Sequence, residues 1–400
     1  MPLLDGLRVV EVALLAPNML GMHLADLGAE VIKVEEPRQG DYTRQVGAAR
    51  AGGLSFLHLR WNRGKRSIAL DLRDNAGAEV FRDLVRASEV VIEGLRTGAL
   101  ARRGLGHAHL RSVNPALVFC SLSGFGQTGP YRDLATHGVA YDAYAGLAPP
   151  EITDDGFVTI PRRYHDSGTQ AGALYAATAV LAAVLRARAT GEGAFLDLAQ
   201  ADAALSWNAG RLDPLLSGAE VPRDATTMQT SVRYQYYATA DGRTILFQAS
   251  EHHFFERFCR AVGREDLCAE DRGATFGEHA QGDTDLRHQL AALFATRTQA
   301  EWVRLFIEAD VPGGPVHPVS ELEDDPQFAA RARILEHQHP EAGSLRLIGT
   351  PVRSDVASAE VGPAPALGEH TDEVLADLLG YGPARIAALR RRGAIDCTSR

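Results

Sequence analysis

The sequence predicts an α/β fold: a doubly wound parallel sheet carrying the larger domain, and a second, smaller α+β domain. Short apolar runs alternate with helical segments through the first 121 residues. Beyond residue 166 the chain turns to long alanine-rich helices, and a tight-turn dipeptide, Asp241-Gly242, opens a new pattern. The length itself, 400 residues, exceeds what one hydrophobic core usually supports.

Residues 7–13 (LRVVEVA) and 30–35 (EVIKVE) read as buried strands, with an apolar helix over Met19–Leu27 between them and Gly28 as its stop. The pattern recurs with a strand over Ser67–Leu72, a helix over Gly77–Ala87, a strand over Val90–Glu93 and another over Leu117–Ser121. Strands alternating with helices imply a parallel sheet covered on both faces. Helices are then expected over Thr169–Ala189 and Gln200–Asn208. The runs Val232–Ala238 and Thr244–Ala249 flank Asp241-Gly242 as a hairpin, followed by helices over Phe254–Val262, Arg287–Ala295 and Glu301–Ala309. The run Val311-Pro-Gly-Gly-Pro-Val-His-Pro reads as a chain break. These patterns divide the chain into 1–210 (large domain), 225–325 (small domain) and 330–400, a C-terminal segment returning to the large domain.

Composition excludes several classes. A hydrophobic fraction of 45% and a charged fraction of 23% are ordinary for a globular protein, and the formal charge of −10 argues against nucleic-acid binding. Cys120, Cys259, Cys268 and Cys397 lack metal or redox spacing, which fits reduced thiols in the cytoplasm and no metal site. The N-terminus carries an early acid and does not read as a secretory signal. The longest apolar stretch, Ala171–Leu185, is short for a bilayer and reads as a buried helix, so no membrane partner is expected.

Asp166 precedes Ser167-Gly-Thr-Gln170, a Ser-x-x-Gln pattern that reads as a capping box starting an apolar helix. A carboxylate facing a helix N-terminus is favoured in its ionised form, the form a nucleophile or general base needs. Acids in first turns are common, so spacing alone leaves Asp166 an ordinary helix-start acid. His137 follows the glycine-rich turn Ser123–Tyr131, and as a histidine it is a candidate general acid or base. Arg63, Lys65, Arg66 and Arg73 form one basic cluster, and Arg96, Arg102 and Arg103 another. Arginine forks suit phosphates, although most such charges are solvated.

Together these segments resemble the family III coenzyme A transferases, a group that includes carnitine-CoA and formyl-CoA transferases and the α-methylacyl-CoA racemases. The likeness runs from Leu24-Ala-Asp-Leu-Gly-Ala-Glu-Val-Ile-Lys-Val-Glu35, Asn62-Arg-Gly-Lys-Arg-Ser-Ile-Ala-Leu-Asp71 and Ile92-Glu-Gly-Leu-Arg-Thr-Gly98 to Gly124-Phe-Gly-Gln-Thr-Gly-Pro-Tyr131 and Leu367-Gly-Glu-His-Thr371. It implies a Rossmann-like large domain and an interlocked homodimer. No permanent cofactor is implied: an acyl-CoA and a carboxylic acid are the substrates. Asp166 takes the position of the aspartate that forms a mixed anhydride and then an enzyme-CoA thioester. The CoA-contacting positions fall on Leu15, Ala16, Leu70, Arg73, Gly94, Leu95, Arg96 and Arg102, and Tyr141 joins the site.

Three departures accompany the resemblance. A basic position after the second strand is Glu36 here, with Arg38 as the candidate replacement. The tetraglycine loop of some transferases is missing from residues 220–245. In the racemases the positions of His137 and Asp166 form an acid-base pair, and an acid follows the histidine where this chain has Gly138. CoA transfer is therefore the first reading, racemisation or epimerisation the second, and a non-catalytic CoA-binding subunit the third.

Overall fold

The structure, a computed structural model, describes residues 1–219, 227–268 and 280–395; Cys397 and part of the 220–245 segment lie outside them. The chain forms two compact units, residues 1–216 with 333–400, and residues 217–332.

The first unit is built on a parallel sheet of six strands: β1 (Arg8–Ala13), β2 (Glu30–Glu35), β3 (Lys65–Ala69), β4 (Val90–Gly94), β5 (Val118–Ser123) and β6 (Ala194–Ala199). Their spatial order, β3-β2-β1-β4-β5-β6, is that of dinucleotide-binding sheets, with the direction of winding reversing between β1 and β4. Helix α1 (Asn18–Asp26) joins β1 to β2, and α2 (Asn75–Arg86) joins β3 to β4. Alternate strand residues feed two cores, as a period of two requires. Val10, Val12, Ile32, Val34 and Phe119 pack with Phe81 and Leu84 of α2 and with C-terminal Val374, Ile386 and Leu389. Val9, Val31, Ile92 and Leu122 pack on the other face with Leu20 and Leu24 of α1 and with Ala176, Val180 and Val184.

Those last residues belong to a 24-residue helix. Between β5 and β6 the chain forms α3 (Val139–Tyr144) and α4 (Ser167–Thr190), and after β6 comes α5 (Gln200–Trp207). By length and composition alone α4 is long and apolar enough to cross a bilayer, and half of its most apolar window is buried within the protein.

The second unit carries a hairpin of β7 (Gln235–Ala238) and β8 (Thr244–Phe247), helices α6 (His252–Val262), α7 (Thr284–Phe294) and α8 (Gln299–Ala309), and strand β9 (Gly313–Val316). Phe247, Phe258, Phe294 and Trp302 form its centre. Strand β9 corrects the expected chain break: it pairs antiparallel with β8 at the sheet edge, where Pro315 can lack an N–H without breaking a ladder on both sides. The C-terminal segment adds a hairpin of β10 (Ile334–His339) and β11 (Gly343–Ile348), then α9 (Pro383–Arg392).

Candidate active site

A cleft of about 900 Å³ opens at the carboxyl ends of β1, β2, β4 and β5, at the point where the winding reverses. Open α/β sheets bind ligands at such a crevice because neighbouring loops part there. Leu15, Ala16, Leu70, Arg73, Gly94, Leu95, Arg96 and Arg102 all line it, together with His137 and Tyr141. Asp166 and Arg38 are not among its lining residues.

The turn from β1 into α1 is held from beneath by buried lysines. Lys33 Nζ donates to Ala13 O at 2.9 Å, Asn18 Oδ1 at 2.7 Å and Asp41 Oδ2 at 3.0 Å. Lys65 Nζ donates to both Glu11 carboxylate oxygens, at 2.7 and 2.9 Å, and to Asn18 O at 2.8 Å. Between these anchors Leu15 adopts φ +58°, a left-handed conformation that a branched side chain resists. Arg44 and Glu35 extend the network at 2.8 Å, so three cations face the carboxylates of Glu11, Asp41 and Glu35 inside the protein.

On the other side of the winding reversal, Gly94 allows close approach: a Cβ there would stand 2.4 Å from Pro17 Cβ and 2.7 Å from Ala13 Cβ. Buried Glu93 accepts from Leu100 N at 3.1 Å and so fixes the turn that presents Leu95, Arg96 and Arg102 to the cleft. Burial raises the Glu93 pKa above the ordinary carboxylate value, against the pull of Leu100 N–H. Arg102 Nη1 donates to Thr97 O at 3.0 Å.

The first basic cluster divides. Arg63 is buried in a two-pronged pair with Asp26, Lys65 serves Glu11, and Arg66 pairs with Glu30 and Glu373. Only Arg73 of that cluster reaches the cleft, and it is held by two carboxylates. Its Nε and backbone N donate to Asp71 Oδ1, both at 2.9 Å, and its Nη2 donates to Glu36 Oε1 at 2.9 Å and Asp71 Oδ2 at 3.1 Å.

Asp166 is the residue just before α4, but the expected capping box is not formed. Ser167 is the first helical residue, and its hydroxyl donates back to His165 O at 3.3 Å. No Asp166 side-chain bond caps the helix. The capping acceptor is Asp142 of α3, whose Oδ1 accepts from Gly168 N at 2.8 Å and whose Oδ2 accepts from Tyr164 Oη at 2.8 Å. Asp142 is fully buried, and burial raises its pKa above the ordinary value despite these donors, with the Asp166 charge adding to the rise. Asp166 Oδ1 is buried without a hydrogen-bond partner. Its neighbour Tyr141 bonds Thr136 O at 3.3 Å and faces the cleft; burial first, then the Asp166 charge, push its phenol pKa up.

His137 is exposed on the cleft wall, and Gly138 after it takes φ +41°, a region L side chains rarely enter. Tyr144 is half-exposed and packs edge-on against Phe125, and Tyr164 donates to Asp142. Sequence reasoning missed Asp142 and the lysine network. Charged residues inside apolar strands, Glu11 and Lys33, were the available signal for the network; Asp142 acts on a helix 26 residues away and left none.

Comparison with known proteins agrees with this geometry. The pattern of CoA-transferase family III matches residues 4–371. The chain is 31% identical to the human succinyl-CoA:glutarate CoA-transferase over 98% of this chain and 90% of that one. It is 32% identical to the succinyl-CoA–D-citramalate CoA-transferase of Chloroflexus aurantiacus over 98% of each, and 29% identical to a formyl-CoA:oxalate CoA-transferase of Rhodopseudomonas palustris over 98% and 97%. A CAIB/BAIF family protein from Brucella suis superposes with a TM-score of 0.76 at 30% identity, covering 94% of this chain and 99% of that one. The parallel sheet, the cleft at its winding reversal and these likenesses together establish that the chain belongs to CoA-transferase family III.

Proposed function

We propose that this CoA-transferase works through covalent catalysis by Asp166. The observation that carries the reading is the division of labour at the start of α4: Asp142 takes the helix-capping bond, which leaves Asp166 Oδ1 unpartnered beside Tyr141 of the cleft. A carboxylate engaged in capping would lose nucleophilicity to its donors; Tyr164 interacts with the Asp166 side chain, but Oδ1 has no hydrogen-bond partner and keeps its lone pairs for a carbonyl carbon.

In this reading the Asp166 carboxylate attacks the thioester carbonyl of an acyl-CoA and expels CoA thiolate, giving a mixed anhydride. The thiolate attacks the Asp166 carbonyl of that anhydride, releasing the donor acid and forming an enzyme-CoA thioester. An incoming carboxylate displaces the thiolate to form a second anhydride. Thiolate attack on its acyl carbon then yields the new acyl-CoA and regenerates Asp166. No net water or proton is consumed. Short dicarboxylic acids are the proposed acyl groups, supported by the succinyl, glutarate and citramalate specificities in the names of the relatives. Leu15, Ala16, Leu70, Gly94 to Arg96 and Arg102 are the proposed CoA contacts, supported by their shared place in the cleft. An interlocked homodimer is part of the same proposal, supported by the exposed apolar Leu174, Tyr175 and Leu185 on α4.

Asp166→Asn should lower transfer by several orders of magnitude while CoA binding persists, and hydroxylamine added during turnover should trap Asp166 as a hydroxamate in the wild type. A racemase reading has one favourable observation, His137 on the cleft wall. Absence of an adduct, combined with exchange of the substrate α-hydrogen in deuterated solvent that is lost in both His137→Ala and Asp166→Asn, would replace transfer by that chemistry.

A further inference from the structure

The lip of the cleft beyond β2 carries a charge arrangement that bears on which nucleotide end the enzyme accepts. Glu36 lies one residue past β2 and lines the cleft, as do Asp71 and Arg73. Its Oε2 accepts from the backbone N of Arg38 at 2.9 Å and of Gln39 at 2.8 Å, so the carboxylate is locked in place. Its Oε1 accepts from Arg73 Nη2, and Asp71 accepts from Nη2 and Nε of the same guanidinium. Arg73 is thus engaged by two carboxylates, with the Arg38 charge also acting on Asp71.

We infer that Glu36 makes this enzyme tolerant of dephospho-CoA, reading the nucleotide ribose as a hydroxyl donor instead of binding a phosphate on it. In parallel-sheet nucleotide sites with this strand order, the residue just past the second strand meets the adenosine ribose. An acid there accepts from a free hydroxyl, whereas a basic residue accommodates a phosphate on the sugar. The same contrast applies to the 3′-phosphate of CoA. Arg73 could serve that dianion only by leaving Asp71 and Glu36, and Glu36 would remain beside it as a like charge. Arg96, Arg102 and Arg103 lie after β4, across the winding reversal, where they suit the pyrophosphate common to both compounds.

The inference rests on the CoA-transferase reading, and free CoA and free dephospho-CoA separate the two. Calorimetric titration of the intact enzyme should show affinities for the two compounds within about threefold, because charge-assisted bonds to the 3′-phosphate are already spoken for. Glu36→Gln keeps an acceptor for Arg38 N and Gln39 N while removing the charge, and it should raise the preference for CoA about tenfold. Glu36→Arg should raise it further. A wild-type preference for CoA above about tenfold, or an unchanged ratio in Glu36→Gln, would overturn the assignment. If the wild type binds neither compound, the transferase reading falls and this inference falls with it.

Discussion

Replacing Lys33 by methionine tests whether the buried charge network holds the cleft. Lys33 Nζ has acceptors at 2.9 Å (Ala13 O), 2.7 Å (Asn18 Oδ1) and 3.0 Å (Asp41 Oδ2), and neither it nor Asp41 has any side-chain exposure. Burial alone would raise the Asp41 pKa; Lys33 and the Thr43 N–H overcome it and hold the carboxyl at about 2. Methionine matches the length of the stem but leaves that carboxylate without its ammonium. Breaking a buried pair from one side costs about 3–5 kcal/mol, which at roughly 2 °C per kcal/mol lowers the melting temperature by about 6–10 °C. The double variant Lys33→Met/Asp41→Leu removes both charges and should recover more than half of the loss, since an apolar pair of similar volume is often as stable as the ionic one. The turn carrying Leu15 loses an anchor in either variant, so the KM for CoA should rise more than kcat falls. Thermal scans and steady-state kinetics read all three effects. A single variant that melts within about 2 °C of the wild type, or a double variant as unstable as the single, would refute the reasoning.

Two further outcomes are expected, one from a buried histidine and one from the proposed homodimer. His58 is fully buried and its pKa is lowered from 6.5 to about 3, by burial and then by the Arg44 charge; Arg44 can only donate, so His58 Nε2, 3.1 Å away, must accept as a neutral ring. The unfolded chain takes up this proton below pH 6.5 while the folded chain does not. Stability should therefore fall by about 2–3 kcal/mol between pH 6.5 and 4.5. Denaturation of His58→Gln over the same range should show a flatter slope, and equal slopes would exclude His58 as the source. Sedimentation velocity at nanomolar concentration should show a homodimer; a folded monomer would remove that part of the proposal.

The sequence by itself determined the strands and helices whose burial is continuous. β1 and β2 were legible because both faces of a central parallel strand are covered, so Val9, Val10 and Val12 and Val31, Ile32 and Val34 are apolar on both faces, interrupted only by Glu11 and Lys33. β6 is not legible because an edge strand is half-covered: of its two exposed positions, Phe195 and Asp197, one is apolar, so the six residues show no polar/apolar alternation. The likeness of ordered motifs along the chain was enough to identify the family, since each motif is a short local stretch whose residue types need no tertiary contact to be read. The tertiary structure decided which charges are functional. Lys65 and Arg73 are near neighbours in one basic run, yet one is sealed against Glu11 and the other stands at the cleft lip between Asp71 and Glu36. It also transferred the capping of α4 from Ser167, the first residue of the helix, to Asp142 on another helix. A hydrogen bond depends on distance in space, and the folding of α3 against α4 brings Asp142 to the helix end where neighbouring residues in the chain do not cap it.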